Sequence, residues 1–243
     1  MQSNELVVRG LVLRANEYKE ADAMVRAISE DGFFDFSARG VKKLTSKNAA
    51  SVQPFSYSEF ELVSSNSHLL SLKKGTLIES YAKSDDEFAL FSLLLIQELT
   101  LVYLDDEEAK SLYPYLLKAI SLIKDGHDPL SIALVYMIKI IDETGFTLQM
   151  RSCAICGEKK DIVGISFFDG GLVCRKHSDS RGVSILSPRY LNIVRFCFLC
   201  KVSDMERASF EKSETHYLLE LFAEYIYECF GKKPRTMVMI EML

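Results

Sequence analysis

An α+β chain is what this sequence predicts: a small barrel of short strands, then a run of helices, with a cysteine-and-histidine segment set between two of them. Three observations carry that expectation. Turn signals cut the first eighty residues into five strand-length pieces. From Asp85 the apolar pattern changes to helical period. The stretch CAICGEKKDIVGISFFDGGLVCRKH holds two pairs of soft ligands at two-residue spacing, Cys153 with Cys156 and Cys174 with His177.

The expected strands are ELVVRGLVLRA, AMVRAISEDG, FFDFSARGV, FSYSEFELV and HLLSLKKGTLIES, parted by Asp31-Gly32, Gly40, Pro54 and Ser64 to Ser67, with Gly75 inside the last. Alternation of apolar residues is clearest in FSYSEFELV. Five strands in this length suit a small closed barrel, either an OB-fold or an SH3-like barrel, and strand order cannot be read from the pattern. Helices are expected over 85–104, 108–124 and 129–145, with Pro129 in a first turn and Gly145 at a stop, and again over 187–202 and 213–230. The domain boundary therefore falls near 80–85.

Composition narrows the function. At 243 residues, 48% hydrophobic and 26% charged, the chain can bury real cores without disulfide staples. MQSNELVVRG contains an acid and no unbroken apolar run, so no signal peptide is expected and the expected address is cytoplasmic. FALFSLLLIQELTLVYL at 88–104 is interrupted by Gln97 and Glu98, which makes it a buried bundle helix rather than a membrane span. Six cysteines in a reducing compartment favour metal binding over disulfides.

The net charge of −5 conceals an asymmetry: residues 1–75 carry ten basic against nine acidic side chains, and the remainder nineteen against twenty-five. Between Asp35 and Glu59 lie Arg39, Lys42, Lys43 and Lys47 and no acid at all. A loop between barrel strands with that composition can track a phosphate backbone, although most charge runs are simply solvated. Phe33, Phe34, Phe36, Tyr57 and Phe60 could stack on bases, but strand aromatics are more often core.

Cys153, Cys156, Cys174 and His177 have the spacing of a closed, structural zinc site of one ion. The segment between them is short, contains glycines and is expected to be poor in aliphatic core, so it would struggle to stay folded without a cross-link. A second C-x-x-C, Cys197 to Cys200, sits inside the apolar helical run IVRFCFLCKV and reads as core packing, as does Cys229. His68, His127 and His216 are isolated. No phosphate-binding loop, serine elbow, H-E-x-x-H or deaminase signature occurs, so the chain is not expected to be an enzyme.

With these residues laid out, the chain resembles the bacterial RecO family of recombination mediators. LVLRANEYKEADAMVRAISEDG, FFDFSARGVKK and QPFSYSEFELV are similar to the family's N-terminal barrel; ETGFTLQMRSCAICGE with FFDGGLVC resembles its helix-to-zinc passage, and FGKKPRTMVMI its closing segment. His177 departs from the pattern, since zinc-bearing members usually have a fourth cysteine there. The resemblance implies an OB-fold barrel over 1–80, a helical domain over 81–243 and a zinc-ribbon-like insert over 151–180. It implies a non-enzymatic protein that binds single- and double-stranded DNA, anneals complementary strands, and works with RecR to let RecA replace the single-stranded DNA-binding protein at the nucleoid. The apolar helices at 88–145 are expected to offer a groove, with a Lys or Arg nearby, for the acidic tail of that protein. The residues alone also allow an RNA-binding barrel-and-ribbon adaptor of a translation or transcription complex. A metal-dependent nuclease would need an open coordination position.

Overall fold

The computed structural model describes residues 5–64, 69–82, 85–240 and 242; the turn expected at 65–67 and His68 lie outside them. The chain divides into two compact units that alternate along the sequence, residues 1–86 with 105–124 and residues 87–104 with 125–243.

The first unit is a closed five-stranded barrel of β1 (Glu5–Tyr18), β2 (Asp22–Ser29), β3 (Gly32–Ala38), β4 (Ser56–Ser64) and β5 (Leu70–Ser80), in the order β1-β2-β3-β5-β4. Closure comes from a short parallel pairing of β3 with β5, Phe36 opposite Leu70 and Ser37 opposite Ser71, while the other pairings are antiparallel. That order decides for the OB-fold over the SH3-like barrel. β1 serves two neighbours because it is long: Glu5–Leu11 pairs with β4 and Leu11–Tyr18 with β2, and the register shifts between Val12 and Arg14. Such an irregularity bends a strand around a barrel.

Alternation does the sorting that the sequence pattern implied. Ser56, Ser58, Phe60 and Leu62 of β4 point inward, and Val12, Val25, Phe36, Phe60 and Leu62 form the barrel core. The two inward serines are not wasted: Ser58 Oγ donates to Ser51 O at 2.9 Å and Ser56 Oγ to Ala50 O at 3.0 Å, tying the short 3₁₀ turn over 50–52 to the barrel. Gly75 of β5 makes room for this turn, since a Cβ there would stand 2.1 Å from Ser51 Oγ, and its N–H donates to Asn48 Oδ1 at 3.1 Å.

The unit is completed by α2 (Asp106–Lys124), which follows α1 (Glu87–Tyr103) in sequence but packs against β2 and β3. Its start is a reciprocal capping box: Glu108 N–H donates to Asp105 Oδ1 at 2.9 Å and Asp105 N–H to Glu108 Oε2 at 2.8 Å. Lys124 at its far end pairs with Glu79 of β5.

In the second unit α3 (Pro129–Glu143) is the axis, buried at every position from Leu130 to Ile141 and packed against α1, α4 (Pro188–Leu199) and α5 (Lys212–Phe230). The expected bundle helix at 88–104 is α1, buried at Leu93, Leu95, Ile96 and Leu99. Two polar contacts fix the register of the packing. Tyr136 and Thr100 hydroxyls meet at 2.8 Å inside the core, and Lys139 Nζ reaches Phe198 O at 2.5 Å, supplying a donor to the C-terminal turn of α4. Glu98 of α1 accepts from Arg235 N, Thr236 N and Thr236 Oγ1 and so holds the closing turn α6 (Met237–Ile240). Cys197 and Cys200 are core residues, as expected; Cys229 is half-buried beside Tyr225 rather than in the core.

Candidate metal centre and nucleic-acid interface

Between α3 and α4 the chain builds a three-stranded sheet, β6 (Ile162–Ser166), β7 (Gly171–Cys174) and β8 (Val183–Ile185), in the order β7-β6-β8. Gly171, at φ +155, lets Gln149 come within 2.6 Å of where a Cβ would sit. The first knuckle turns through Cys153 N–H to Glu158 O at 2.7 Å and Gly157 N–H to Cys153 O at 2.8 Å, with Gly157 at φ +75. The second is the end of β7 and the 3₁₀ turn over 175–177, so Cys174 and His177 leave the sheet edge side by side.

These two turns bring the ligand atoms of Cys153, Cys156, Cys174 and His177 within 4.8 Å of one another. Cys156 Sγ lies 3.8 Å from Cys174 Sγ, and His177 Nδ1 lies 3.4 Å from Cys174 Sγ and 3.7 Å from Cys153 Sγ. A tetrahedral ion with metal–sulfur bonds of about 2.3 Å and metal–nitrogen bonds of about 2.0 Å requires edges of about 3.8 Å between sulfurs and about 3.5 Å between sulfur and nitrogen. The residues fit a four-coordinate ion.

The electrostatics prepare the same site. Burial pushes the Cys153 thiol up, but the backbone N–H groups of Cys174, Cys156 and Ile155, with the Cys156 thiol, outweigh it and hold it down at about 6. Cys156 is held up: the Glu158 N–H lowers it, while desolvation and the Cys153 and Cys174 thiols more than offset that. One negative charge is thus welcome among the clustered thiols and a second is not, until a cation neutralises them. Four protein ligands leave a tetrahedral ion no open position, so nothing in this cluster favours a nuclease centre. The segment's own apolar core is Cys153, Val173 and Cys174, with Ile162 and Val183 against it.

The second candidate is the loop that leaves β3. Val41 and Val52 root it in the barrel core, Lys42 N–H donates to Ala21 O at 3.1 Å, and Gly40 N–H donates to Asp22 Oδ1 at 2.8 Å. The side chains of Arg39, Lys42, Lys43 and Lys47 are all exposed. They are not equivalent. Lys42 pairs with Glu17 of β1, and its hydrogen bond and charge hold the Glu17 carboxyl below the usual range; Arg39, Lys43 and Lys47 make no ion pair among the described residues. The Glu17 pairing could not be found from the sequence, where the two residues lie in different strands' surroundings with no shared pattern.

The aromatic residues divide against stacking. Phe36 and Phe60 are fully buried with ring centroids 4.9 Å apart, and Phe34 packs on both. Phe33 lies under the Arg26 guanidinium at 4.6 Å. Outside the helices at 88–145, where a peptide groove is expected, a cleft that combines apolar and charged residues lies on α4 and the turn after it, about 310 Å³ lined by Arg195, Phe196, Leu199, Asp204 and Arg207, with Arg207 3.8 Å from Asp204. Among the basic residues Lys232, Lys233 and Arg235, Lys233 pairs with Glu224 at 2.7 Å. No described helix is long and apolar enough to cross a membrane.

Comparison with known proteins bears on both candidates. Residues 1–81 match the family model described as Recombination protein O N terminal, and residues 84–237 match Recombination protein O C terminal. The DNA repair protein RecO of Lactobacillus delbrueckii subsp. bulgaricus is 30% identical over 213 residues, covering 84% of this chain and 83% of the relative. That of Syntrophomonas wolfei is 28% identical over 220 residues, 87% of each chain. That of Bacillus cytotoxicus is 30% identical over 175 residues, 71% of this chain and 70% of the relative.

Proposed function

The chain belongs to the RecO family of DNA repair and recombination proteins, and on that premise we propose that it is a non-enzymatic mediator that binds single- and double-stranded DNA and anneals complementary strands. The observation that carries the reading is the acid-free loop on an OB-fold barrel, where Arg39, Lys43 and Lys47 stand exposed and, among the described residues, unpaired by carboxylates. Cations so placed bind phosphates without reading bases and release condensed counterions as they do so. Lys42 joins them when a phosphate displaces Glu17, an exchange that costs little because an exposed ion pair contributes little.

Cys153, Cys156, Cys174 and His177 hold one structural zinc ion, which supplies four bonds where the apolar cluster around the knuckles is small. The partners follow from family membership: RecR as co-mediator, the acidic tail of the single-stranded DNA-binding protein as recruiting signal, and RecA as the protein loaded afterwards. Support for the tail contact comes from the α4 cleft, where Arg195 and Arg207, the latter beside Asp204 at 3.8 Å, flank Phe196 and an exposed Leu199, so that Arg195 is suited to a carboxylate beside an apolar side chain. This work belongs with the chromosome in the cytoplasm.

The test is annealing of complementary oligonucleotides without ATP, bare and coated by the single-stranded DNA-binding protein. The full chain should accelerate both, and Arg195→Glu with Arg207→Glu should lose the coated reaction while keeping the bare one. Failure to accelerate bare strands at low salt overturns the proposal.

A further inference from the structure

We propose that the cleft beneath the 39–55 loop takes an unstacked nucleobase of a bound single strand, with Leu44 as the wedge that parts it from its neighbour. The inference rests on the reading of that loop as a phosphate track and adds to it what happens to the bases.

The cleft has a volume of about 580 Å³. It is lined by small apolar side chains, Ala15, Ala23, Val41, Ala49 and Val52, which leave room that larger residues would fill, and by Lys42, Lys43 and Gln53. Leu44 lines it too, yet its side chain is 106% exposed, standing wholly in water. A single exposed leucine means nothing on its own. Here the backbone presents it deliberately: Lys43 N–H donates to Gly40 O at 3.2 Å and Ser46 N–H to Lys43 O at 2.9 Å, so Leu44 rides on two successive turns. The loop beneath is pinned by Asn48 and Ser51, as described above, and the leucine is held out rather than left loose.

The ligand this arrangement fits is anionic at its edge and apolar in its body. No acid lies between Asp35 and Glu59, and the carboxylate of Glu17 is paired with Lys42. A nucleotide strand has that chemistry, with phosphates for the lysines and flat base faces for the alanines and valines. Apolar side chains inserted at a base step unstack it, and contact with base faces alone is tolerant of sequence. A strand whose bases are parted singly presents their pairing edges to a complementary strand, which is what annealing needs. An acidic peptide with an apolar residue shares the gross chemistry and is the competing occupant.

The experiment uses the full, metal-loaded chain and a single-stranded oligonucleotide carrying one 2-aminopurine, whose fluorescence rises when it is unstacked, with anisotropy of an end label reporting binding in parallel. At protein concentrations that saturate the anisotropy, the wild type should raise the fluorescence about two-fold or more, and Leu44→Ser and Ala49→Phe should each lose most of that rise. Saturated binding with no rise in the wild type, or a rise undiminished in both variants, overturns the inference and leaves the phosphate track standing. Absence of any anisotropy change at low salt overturns the track and the inference together. An acidic peptide ending in an aromatic residue that binds the wild type but not Leu44→Ser, without loss of the 2-aminopurine signal in that variant, assigns the cleft to protein instead.

Discussion

The barrel and the cysteine segment are both small sheets, and they are held together by opposite means. Ten fully or nearly buried residues, from Val12 to Leu62, fill the barrel, and none of them is a ligand for anything. The cluster beside the knuckles has three, Cys153, Val173 and Cys174, and two of those are members of the candidate metal cluster, while Ile165, Leu172 and Phe167 of the same segment are buried or packed away from it, Phe167 against α5. One sheet is stabilised by apolar area removed from water, at about 25 cal/mol per Å². The other places members of its candidate metal cluster in its core, so that the state of those side chains bears directly on its packing. The difference teaches where to look for independence: the barrel can lose a surface cation and stand, whereas opening the cluster removes the packing around the two knuckles and leaves the segment its contacts through Ile165, Leu172 and Phe167.

Removing the metal should break the comparison most visibly. Binding of structural zinc by such ligand sets is worth roughly 10 kcal/mol or more at neutral pH. Chelation, or Cys153→Ser, should therefore abolish amide protection across 151–185 and make the cluster thiols reactive, while protection in β1 to β5 is unchanged; hydrogen exchange with mass spectrometry reads both halves at once. Equal loss in the two regions would mean they are not separate in stability. Next in size is Phe60→Ala, which empties the barrel core and should cost about 3–5 kcal/mol in a denaturant melt while one metal ion per chain remains bound.

Surface charge sharpens the contrast within the barrel itself. Lys43→Glu and Lys47→Glu together should leave the melting temperature nearly unchanged yet flatten the salt dependence of DNA binding by roughly two units of slope. Lys42→Glu alone should do less than Lys43→Glu alone, because Glu17 already engages Lys42. An identical slope for the double variant and the wild type would move the DNA path to another surface.

The smallest effect is a pH dependence in the second unit. Burial, then the Lys212 charge, pushes His216 below its ordinary value, with Glu220 opposing, and its Nε2 is buried with no hydrogen-bond partner among the described residues. The unfolded chain therefore takes up a proton near pH 6.5 that the folded chain resists. Stability is whole above that pH and declines as pH falls through the lowered folded value, by less than about 1 kcal/mol given the group's partial exposure. His216→Gln should flatten a melting-temperature profile between pH 7 and 5.

What the sequence disclosed follows the range of the forces involved. Strand alternation and helix period are local, so β4 and α3 could be read almost to the residue, and the knuckle spacing identified all four members of the cluster. The closure of the barrel through Phe36 and Leu70 could not be read, because pairing of β3 with β5 is a choice among partners that alternation permits equally. Nor could the place of α2: its apolar stripe says which face is buried and nothing about what covers it. The capping box of Asp105 and Glu108 could not be told from an ordinary acidic stretch, because the role depends on where the helix begins. β6 to β8 are three to five residues each, too short for a period to show.

The alternation of the two units along the chain has a consequence during synthesis. A ribosome delivers all five barrel strands first, then α1, which belongs to the other unit, and only then α2. At about 5–20 residues per second, α2 trails the last barrel strand by roughly two to nine seconds. Through that interval a nascent barrel has its strands but lacks the helix that covers β2 and β3, while α1 waits for α3 to be made. The exposed apolar faces of that interval are where a chaperone would bind, and a ribosome stalled between Ser80 and Lys124 would release a chain with neither unit complete.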